Sequence, residues 1–399
     1  MSPQCSDIHY YTAKPHTGCC WFIKFNGKVI DRRWIEPVEA MYGWHYRNQR
    51  YLRNEQSLAR VALVYSQQTA AFYGGEQARA KVEDHALGFY QALIEARIPF
   101  DMVHDRLLDA AHIGRYRTLI LPNIAALSLA QCRQLADYVR AGGNLVATHE
   151  TSLYDEWGER RDDFGLASLF GANFAGRVDT EVHNSYLNVE KDPRTGEFHP
   201  VVRGLENATR IINGTNWVAT RPAQPIYAPL TLVPSYPDLP MEEVYPRVPR
   251  TDIPGVYARQ EGASRVVYFP FDLDRTFWDV LSPDHGLLLS NAVSWAHNQE
   301  QSLAVEGKGV LDVSLWMQKD SLTAHLVNLT NPMMMKGPLR ETIPSPPQRV
   351  RIAVPSGRRL RAVNLLVSGR TPRYTVKGNV VSLEIPSIDI HEVVALDLA

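Results

Sequence analysis

Residues 128–148 read SLAQCRQLADYVRAGGNLVAT, and this stretch decides the fold. Ser128 can cap a helix that runs through Arg140, and the pair Gly142-Gly143 can end it. A short apolar strand, residues 144–148, follows at once. A helix that leads directly into a buried strand is the repeating unit of a parallel sheet with helices on both faces.

The same alternation of strand and helix continues on both sides of this stretch. The segments that predict further elements, in chain order, are a strand at 61–65, a helix with apolar residues at 86, 89, 90, 93 and 94, an edge strand at 100–103, a strand at 118–121, a hairpin-like pair at 255–259 and 265–269, and a helix at about 284–297. We therefore expect a doubly wound parallel α/β sheet over residues 61–300.

Helical periodicity disappears after Ser302, and short apolar segments take its place. Seven of them predict strands: 311–316, 322–327, 350–354, 362–367, 374–376, 380–385 and 392–398. Their short length and turn signals predict a C-terminal antiparallel β-sandwich over residues 301–399. Residues 1–60 form a separate aromatic-rich segment, whose helix at about 38–52 needs a partner surface from elsewhere. The proline-rich stretch 220–254 predicts extended or irregular structure.

The composition excludes several classes of protein. A chain of 399 residues predicts two or three domains. Its 42 basic and 43 acidic residues give a net charge of -1, which argues against a nucleic-acid binder or a binder of anionic membranes. The four cysteines form neither a disulfide framework nor a zinc spacing, and no apolar run predicts a membrane span or a secretion signal. We expect a cytoplasmic protein.

Polar side chains follow three of the predicted strands. In parallel sheets ligands bind beyond the carboxyl ends of the strands, so these residues are the candidates for a site. They are Ser66 after the first strand, His149, Glu150, Ser152, Asp155 and Trp157 after the strand 144–148, and Asp272, Asp274 and Arg275 after the strand 265–269.

Two catalytic interpretations and one structural interpretation remain open at these positions. Glu150 or Asp155 with Asp272 or Asp274 could form the acid pair of a glycosidase. Ser152 with His149 could form the nucleophile and base of another hydrolase. Alternatively, Asp272 and Asp274 beside Arg275 could build a structural ion-pair network or cap a helix.

We take Glu150, Asp272, Ser152 and His149 as the catalytic candidates. The candidates for substrate contact are Ser66, Asp155, Asp274, Arg275 and Trp157. The histidines show no HxH or HExxH spacing, and Gly74-Gly75 lacks the continuation of a phosphate-binding loop. We therefore expect no metal and no cofactor.

The order of these sequence segments resembles that of a known protein family. The run from Val61-Ala-Leu-Val-Tyr-Ser66 through Gly142-Gly-Asn-Leu-Val-Ala-Thr148 to Leu287-Leu-Leu-Ser-Asn-Ala-Val-Ser-Trp295 resembles the β-galactosidase trimerisation domain of family 42 glycoside hydrolases. The resemblance implies a flavodoxin-like fold of the class I glutamine-amidotransferase type without its cysteine. Residues 27–34 and 51–54 resemble the end of the TIM barrel that precedes such a domain, and the last hundred residues resemble the β-sandwich that follows it.

The resemblance also implies a function. In family 42 the catalytic glutamates lie on barrel strands, which are largely absent from this sequence. The chain is then an accessory and oligomerisation part of a β-galactosidase-like protein, assembled as a homodimer or trimer, with strand-end residues near a shared cleft and a possible carbohydrate ligand. The alternative is an autonomous hydrolase, a glycosidase or an esterase with the glycosidase favoured, with its cleft at the strand ends.

Overall fold

The computed structural model describes residues 32, 33, 35–330 and 341–399. The chain divides into two compact units. The α/β unit comprises Arg60–Leu93 and Met102–Gln299, and the β unit comprises the described residues up to Ala59 together with Ile94–Asp101 and Glu300–Ala399. Most of the predicted barrel-like segment, residues 27–31 and Trp34, lies outside the described residues.

Helices and strands alternate through the first two thirds of the described chain, and strands dominate the last third. The α-helices are Ile35–Asn48, Asp84–Glu95, Ala110–Ile113, Leu129–Arg140, Ala167–Phe170, Leu273–Val280 and Pro283–His297. The strands are β1 (Gln56–Ser57), β2 (Val61–Tyr65), β3 (Phe100–His104), β4 (Thr118–Leu121), β5 (Asn144–Thr148), β6 (Ala172–Asp179), β7 (Tyr186–Val189), β8 (Arg210–Ile212), β9 (Trp217–Pro222), β10 (Leu230–Val233), β11 (Tyr257–Glu261), β12 (Ser264–Phe269), β13 (Leu303–Glu306), β14 (Leu311–Met317), β15 (Ser321–Asn328), β16 (Gln348–Ala353), β17 (Leu360–Leu365), β18 (Tyr374–Lys377), β19 (Val380–Ile385) and β20 (His391–Leu398).

The α/β unit is built on a mixed sheet of six strands in the order β11-β12-β5-β4-β2-β3. β2, β4, β5 and β12 pair in parallel, and β11 closes one side as an antiparallel neighbour of β12. All residues of β4 and β5 are buried, as expected for strands covered on both faces. The strands and helices predicted for this sheet are confirmed.

The helix Leu129–Arg140 shows why the local prediction succeeded. The Ser128 hydroxyl accepts a hydrogen bond from the backbone N–H of Gln131, and the Gln131 side chain accepts one from the backbone N–H of Ser128. This reciprocal capping box fixes where the helix begins. Leu135, Tyr138 and Val139 bury its apolar face.

Residues 172–233 form two further small antiparallel sheets that the sequence pattern did not predict. β6 pairs with β9, and β10, β7 and β8 form a sheet in that order. Only one residue of β7, Leu187, is fully buried, so the strand lacks the apolar alternation that a prediction requires. The expected irregular stretch 220–254 contains β10 and a short helical turn at Met241–Glu243.

The β unit contains two antiparallel sheets, β1-β14-β15-β20-β17 and β13-β16-β19-β18. Apolar residues of both sheets form one hydrophobic cluster, so they pack as a sandwich. All seven predicted strands are present, and β13 and β1 are additional. The helix Ile35–Asn48 packs within this unit, where the indole N–H of Trp44 donates to the carbonyl of Leu366 at 3.0 Å.

Candidate functional site

The carboxyl end of β5 turns sharply at His149. This residue has φ 51°, in the left-handed region, and its backbone N–H donates to the carbonyl of Phe269 at the end of β12 at 2.8 Å. A non-glycine residue in this region stores strain of roughly 1 kcal/mol or more, which the surrounding contacts must offset. The turn thus brings the residues that follow β5 beside those that follow β12.

Glu150 is buried and held by two tyrosines. Its Oε1 accepts a hydrogen bond from the Tyr154 hydroxyl at 2.9 Å, and its Oε2 accepts one from the Tyr73 hydroxyl. Burial and the Glu150 charge raise the pKa of both phenols, which therefore remain protonated donors. Tyr73 lies in a π-helical segment, Thr69–Gly74, that follows β2.

Asp274 forms the centre of a second buried group. Its Oδ1 lies 2.7 Å from Nδ1 of His85, and its Oδ2 accepts a hydrogen bond from the Thr148 hydroxyl at 2.7 Å. The helix that carries His85 approaches closely, because a Cβ added at Gly88 would lie 1.9 Å from the Asp274 carbonyl oxygen. Gly88 is therefore required for this contact.

Asp272 is fully buried, and five donor groups surround its carboxylate, the fifth being Nη2 of Arg275 at 2.5 Å from Oδ2. Oδ1 accepts from the backbone N–H of Asn216 at 2.9 Å. Oδ2 accepts from the Thr215 hydroxyl at 3.0 Å, from the Asn216 amide at 2.8 Å and from Nε of Arg275 at 2.9 Å. Burial opposes ionisation of Asp272, but His149 and Arg275 outweigh it and hold the pKa below its usual value. Asp272 and Arg275 form an ion pair, as the structural interpretation expected, whereas Asp274 pairs with His85 instead.

His149 lies between these groups. Its ring stacks on His85 with the centroids 5.7 Å apart, and its Nδ1 lies 3.8 Å from Oε2 of Glu150. Within the described part of the chain, neither ring nitrogen has a hydrogen-bond partner. Burial lowers the pKa of His149, so the ring is neutral at neutral pH.

The two serines among the candidates are buried in hydrogen-bonded loops. The Ser152 hydroxyl accepts from the backbone N–H of Leu166 at 3.1 Å, and the Ser152 carbonyl accepts from Gly165 at 2.8 Å. The Ser66 hydroxyl donates to Oδ2 of Asp105 at 2.6 Å. Both hydroxyls therefore hold loops at the strand ends.

Asp155 and Trp157 lie further out along the chain after β5. Oδ1 of Asp155 accepts from the backbone N–H groups of Trp157 and Glu159, both at 2.9 Å, and the Glu159 bond is the main cause of its lowered pKa. Trp157 is 68% exposed and meets Phe72 edge to face with the ring centroids 5.4 Å apart. This pair is an exposed aromatic surface of the α/β unit.

The structure brings His149, Glu150, Asp272, Asp274 and Arg275 into one buried cluster, while Ser66, Ser152, Asp155 and Trp157 lie around it in separate loops. The predicted site residues did not include the side chains that complete the cluster, namely Tyr73, His85, Asn123, Thr148 and Tyr154. No group of three potential metal ligands occurs among the described residues. The cluster can hold negatively charged carboxylates away from water, because each carboxylate accepts hydrogen bonds from donors of the same unit.

Known structures share this fold. An α-L-fucosidase isoenzyme 2 from Paenibacillus thiaminolyticus is similar with a TM-score of 0.76 and 16% identity, over 100% of this chain and 57% of that chain. A β-galactosidase from Bacillus circulans sp. alkalophilus has a TM-score of 0.58 and 12% identity, over 92% of this chain and 45% of its own. A GH42 β-galactosidase from G. stearothermophilus has a TM-score of 0.57 and 16% identity, over 93% and 45%.

The chain thus spans about half the length of these enzymes, and at such identities the likeness concerns the fold. No curated protein sequence matches the chain. No helix in the described ranges is long and apolar enough to cross a membrane.

Residues 59–194, which begin just before β2 and continue past β7, match the family model described as the β-galactosidase trimerisation domain. The resemblance is therefore confirmed for this segment: residues 59–194 form a β-galactosidase trimerisation-type domain, as glycoside hydrolases of that kind carry.

Proposed function

We propose that the chain is an accessory and assembly part of a glycoside-hydrolase-like protein, which associates with copies of itself as a dimer or trimer through its α/β unit. The observation that carries the proposal is the match of residues 59–194 to a trimerisation domain. Within that segment Phe72 and Trp157 form an exposed aromatic pair, of the kind that protein interfaces use.

The state of the acidic residues supports the absence of a complete catalytic site. A glycosidase needs two carboxyl groups that reach the glycosidic bond from opposite sides. Asp272 and Asp274 are fully buried, and their oxygens accept hydrogen bonds from their own unit. The Glu150 carboxylate already accepts hydrogen bonds from two phenol hydroxyls. Substrate contact would require these bonds to be broken first, at a cost of about 1–3 kcal/mol for each buried group left unsatisfied.

We also propose a finer fold assignment for the α/β unit. The strand order β3-β2-β4-β5-β12, with parallel pairing from β2 to β12, supports a flavodoxin-like sheet of the amidotransferase type. In that fold the turn after β5 is where an amidotransferase carries its cysteine, and here His149 occupies the strained position. Cys132, by contrast, is a buried free thiol whose pKa burial raises to about 11. A cytoplasmic location agrees with this buried free thiol.

One observation favours the alternative of an autonomous hydrolase. His149 is strained, buried and unpaired at both ring nitrogens within the described structure, and it lies beside Glu150. Strain and perturbed titratable groups cluster at active sites. A screen of the purified protein against nitrophenyl glycosides and esters separates the two functions. Turnover that is lost in Glu150→Gln or Asp272→Asn would favour the hydrolase.

Light scattering of the purified protein at micromolar concentration tests the assembly function. We expect a mass of two or three chains of 45.0 kDa each, together with no turnover in the nitrophenyl screen. A single-chain mass would contradict the assembly function whatever the screen shows.

A further inference from the structure

A cleft of about 710 Å³ opens in the α/β unit away from the buried acid cluster. Its wall includes Gln260, which pairs with Arg265 near the start of β12, whereas the acid cluster lies where β5 and β12 end. The volume falls within the range of sites that take small molecules. None of the residues predicted from the sequence as site residues lines it.

Three aromatic side chains that line the cleft are held in place. The Tyr227 hydroxyl donates to the carbonyl of Glu190 at 2.6 Å. The guanidinium of Arg265 lies 4.9 Å from the ring centre of Trp295 and also donates to the Trp295 carbonyl at 2.8 Å. The ammonium of Lys191 lies 5.0 Å from the ring centre of Phe198. Fixed rings lose little conformational entropy when a ligand packs on them.

The polar side of the cleft is a turn between Asp192 and Glu197. The backbone N–H of Asp192 donates to the Glu197 carbonyl at 2.9 Å, which closes the turn. Asp192 pairs with Arg194 at 3.2 Å, so these two charges offset each other. Glu197 is exposed and makes no ion pair within the described structure. Gln260 on β11 is also exposed, and one N–H of its amide donates to the Gly262 carbonyl at 3.3 Å.

The histidine of the cleft adds no positive charge. His199 packs against Trp295 with the ring centroids 4.7 Å apart. Burial, together with the charge of Arg265, lowers the pKa of His199 to about 4, so the ring is neutral at neutral pH. The side chains that line the cleft thus carry one paired arginine, one paired aspartate and one unpaired glutamate.

We infer that this cleft binds a neutral saccharide, with its ring packed on the aromatic side chains and its hydroxyl groups bound by Glu197 and Gln260. A sugar ring has apolar C–H faces that pack on aromatic rings and hydroxyl groups that both donate and accept hydrogen bonds. Glu197 supplies an acceptor, and the amide of Gln260 supplies a donor and an acceptor.

Charge distinguishes a saccharide from the other small ligands of similar size. A phosphate or nucleotide requires unpaired cations or a cradle of backbone N–H groups, and the arginine of this cleft is already paired with Asp192. A purely apolar ligand would leave the Glu197 carboxylate without a partner when it covers it. This inference does not depend on the assembly function, because a monomer presents the same cleft.

Saturation-transfer NMR and calorimetry on the full chain test the inference with galactose, fucose, lactose and inorganic phosphate as probes. We expect at least one sugar to bind and phosphate not to bind. Glu197→Gln replaces a charged acceptor with a neutral amide, and Gln260→Ala removes the amide, so we expect each variant to weaken sugar binding about threefold to tenfold. Trp295→Ala should abolish binding, with its fold checked by circular dichroism.

Glu159→Gln is the matched control, because Glu159 is an exposed acid outside the cleft, and it should bind sugar like the parent protein. The inference is overturned if none of the sugars saturates the protein at tens of millimolar. It is also overturned if phosphate binds in their place, or if Glu197→Gln and Gln260→Ala bind as tightly as Glu159→Gln does.

Discussion

At Glu150, two phenol hydroxyls converge on one buried carboxylate. A carboxylate removed from water needs such donors, because its desolvation costs several kcal/mol. The donors come from opposite directions along the chain, since Tyr73 is 77 residues before Glu150 and Tyr154 is 4 residues after it. The acid and both phenols therefore form one structural unit, which local sequence could not reveal.

Removing one donor tests this unit. Tyr154→Phe should destabilise the protein by about 1–2 kcal/mol, since a buried charged acceptor loses one hydrogen bond. In the Glu150→Gln background, Tyr154→Phe should lower the unfolding free energy by measurably less, because a neutral amide binds the phenol more weakly. Urea unfolding of the two single variants and the double variant measures this coupling. Tyr245→Phe, at an exposed tyrosine, is the control and should change the unfolding free energy little. Additive effects at Glu150 and Tyr154 would contradict the account.

Asp272 contributes a pH dependence. Its folded-state pKa is lowered, so its ionised form stabilises the fold above the unfolded pKa of about 4, and this contribution is lost as the pH falls through the folded pKa. Asp272→Asn should therefore cost about 3 kcal/mol at pH 7 and progressively less below about pH 4. Urea unfolding at several pH values measures the difference from the parent.

Asp279→Asn is the control for that series, because Asp279 is exposed on the same helix, Leu273–Val280. We expect it to leave the unfolding free energy nearly unchanged throughout the pH series. If the cost of Asp272→Asn did not shrink at low pH, the Asp272 charge would not be the source of its stability.

At the scale of elements, the helix Asp84–Glu95 depends on one glycine. A Cβ at Gly88 would lie 1.9 Å from the backbone oxygen of Asp274, which cannot move away as a flexible side chain could. Gly88→Ala should therefore destabilise the protein by about 2 kcal/mol or more, although alanine favours helices. Gly43→Ala in the helix Ile35–Asn48 would meet only the mobile end of Arg47 and should be neutral or stabilising. Urea unfolding followed by circular dichroism compares the unfolding free energies of the two variants. Equal changes would contradict the close approach of Gly88 to the Asp274 backbone.

The elements also show what the sequence could predict. The helix after Ser128 and the strand β5 carry their own signals, a cap, an apolar period and a glycine pair, so both were predicted correctly. β7 and β8 are short and half exposed, and they are defined by their pairing: β7 pairs with β8 on one side and with β10 on the other. β1 has two residues and is defined by its pairing with β14. Such strands depend on tertiary contacts that no local pattern encodes.

The candidate site, like the elements, could be predicted from the sequence only in part. The strand-end rule placed Glu150, Asp272 and Asp274 together correctly, because parallel strands end at one edge. His85 is 189 residues from Asp274, and its position at the start of a helix gives no sign of that contact. The cleft beside Trp295 was missed because its lining comes from loops, from β11 and from the helix Pro283–His297, which are far apart in the sequence.

At the scale of the whole molecule, we propose that this chain assembles through its α/β unit. The exposed pair Phe72 and Trp157 lies within the segment that matches a trimerisation domain. Burying two such rings at a subunit contact would stabilise it by roughly 1.5–3 kcal/mol for each ring. Tyr374, exposed in the β unit, offers a matched aromatic position outside that segment.

Sedimentation velocity over a range of concentrations tests this claim most directly. The parent protein and Tyr374→Ala should sediment as a dimer or trimer at micromolar concentration, and the double variant Phe72→Ala, Trp157→Ala should dissociate at concentrations where they do not. A parent protein that sediments as a single 45.0 kDa chain at every concentration would contradict the account.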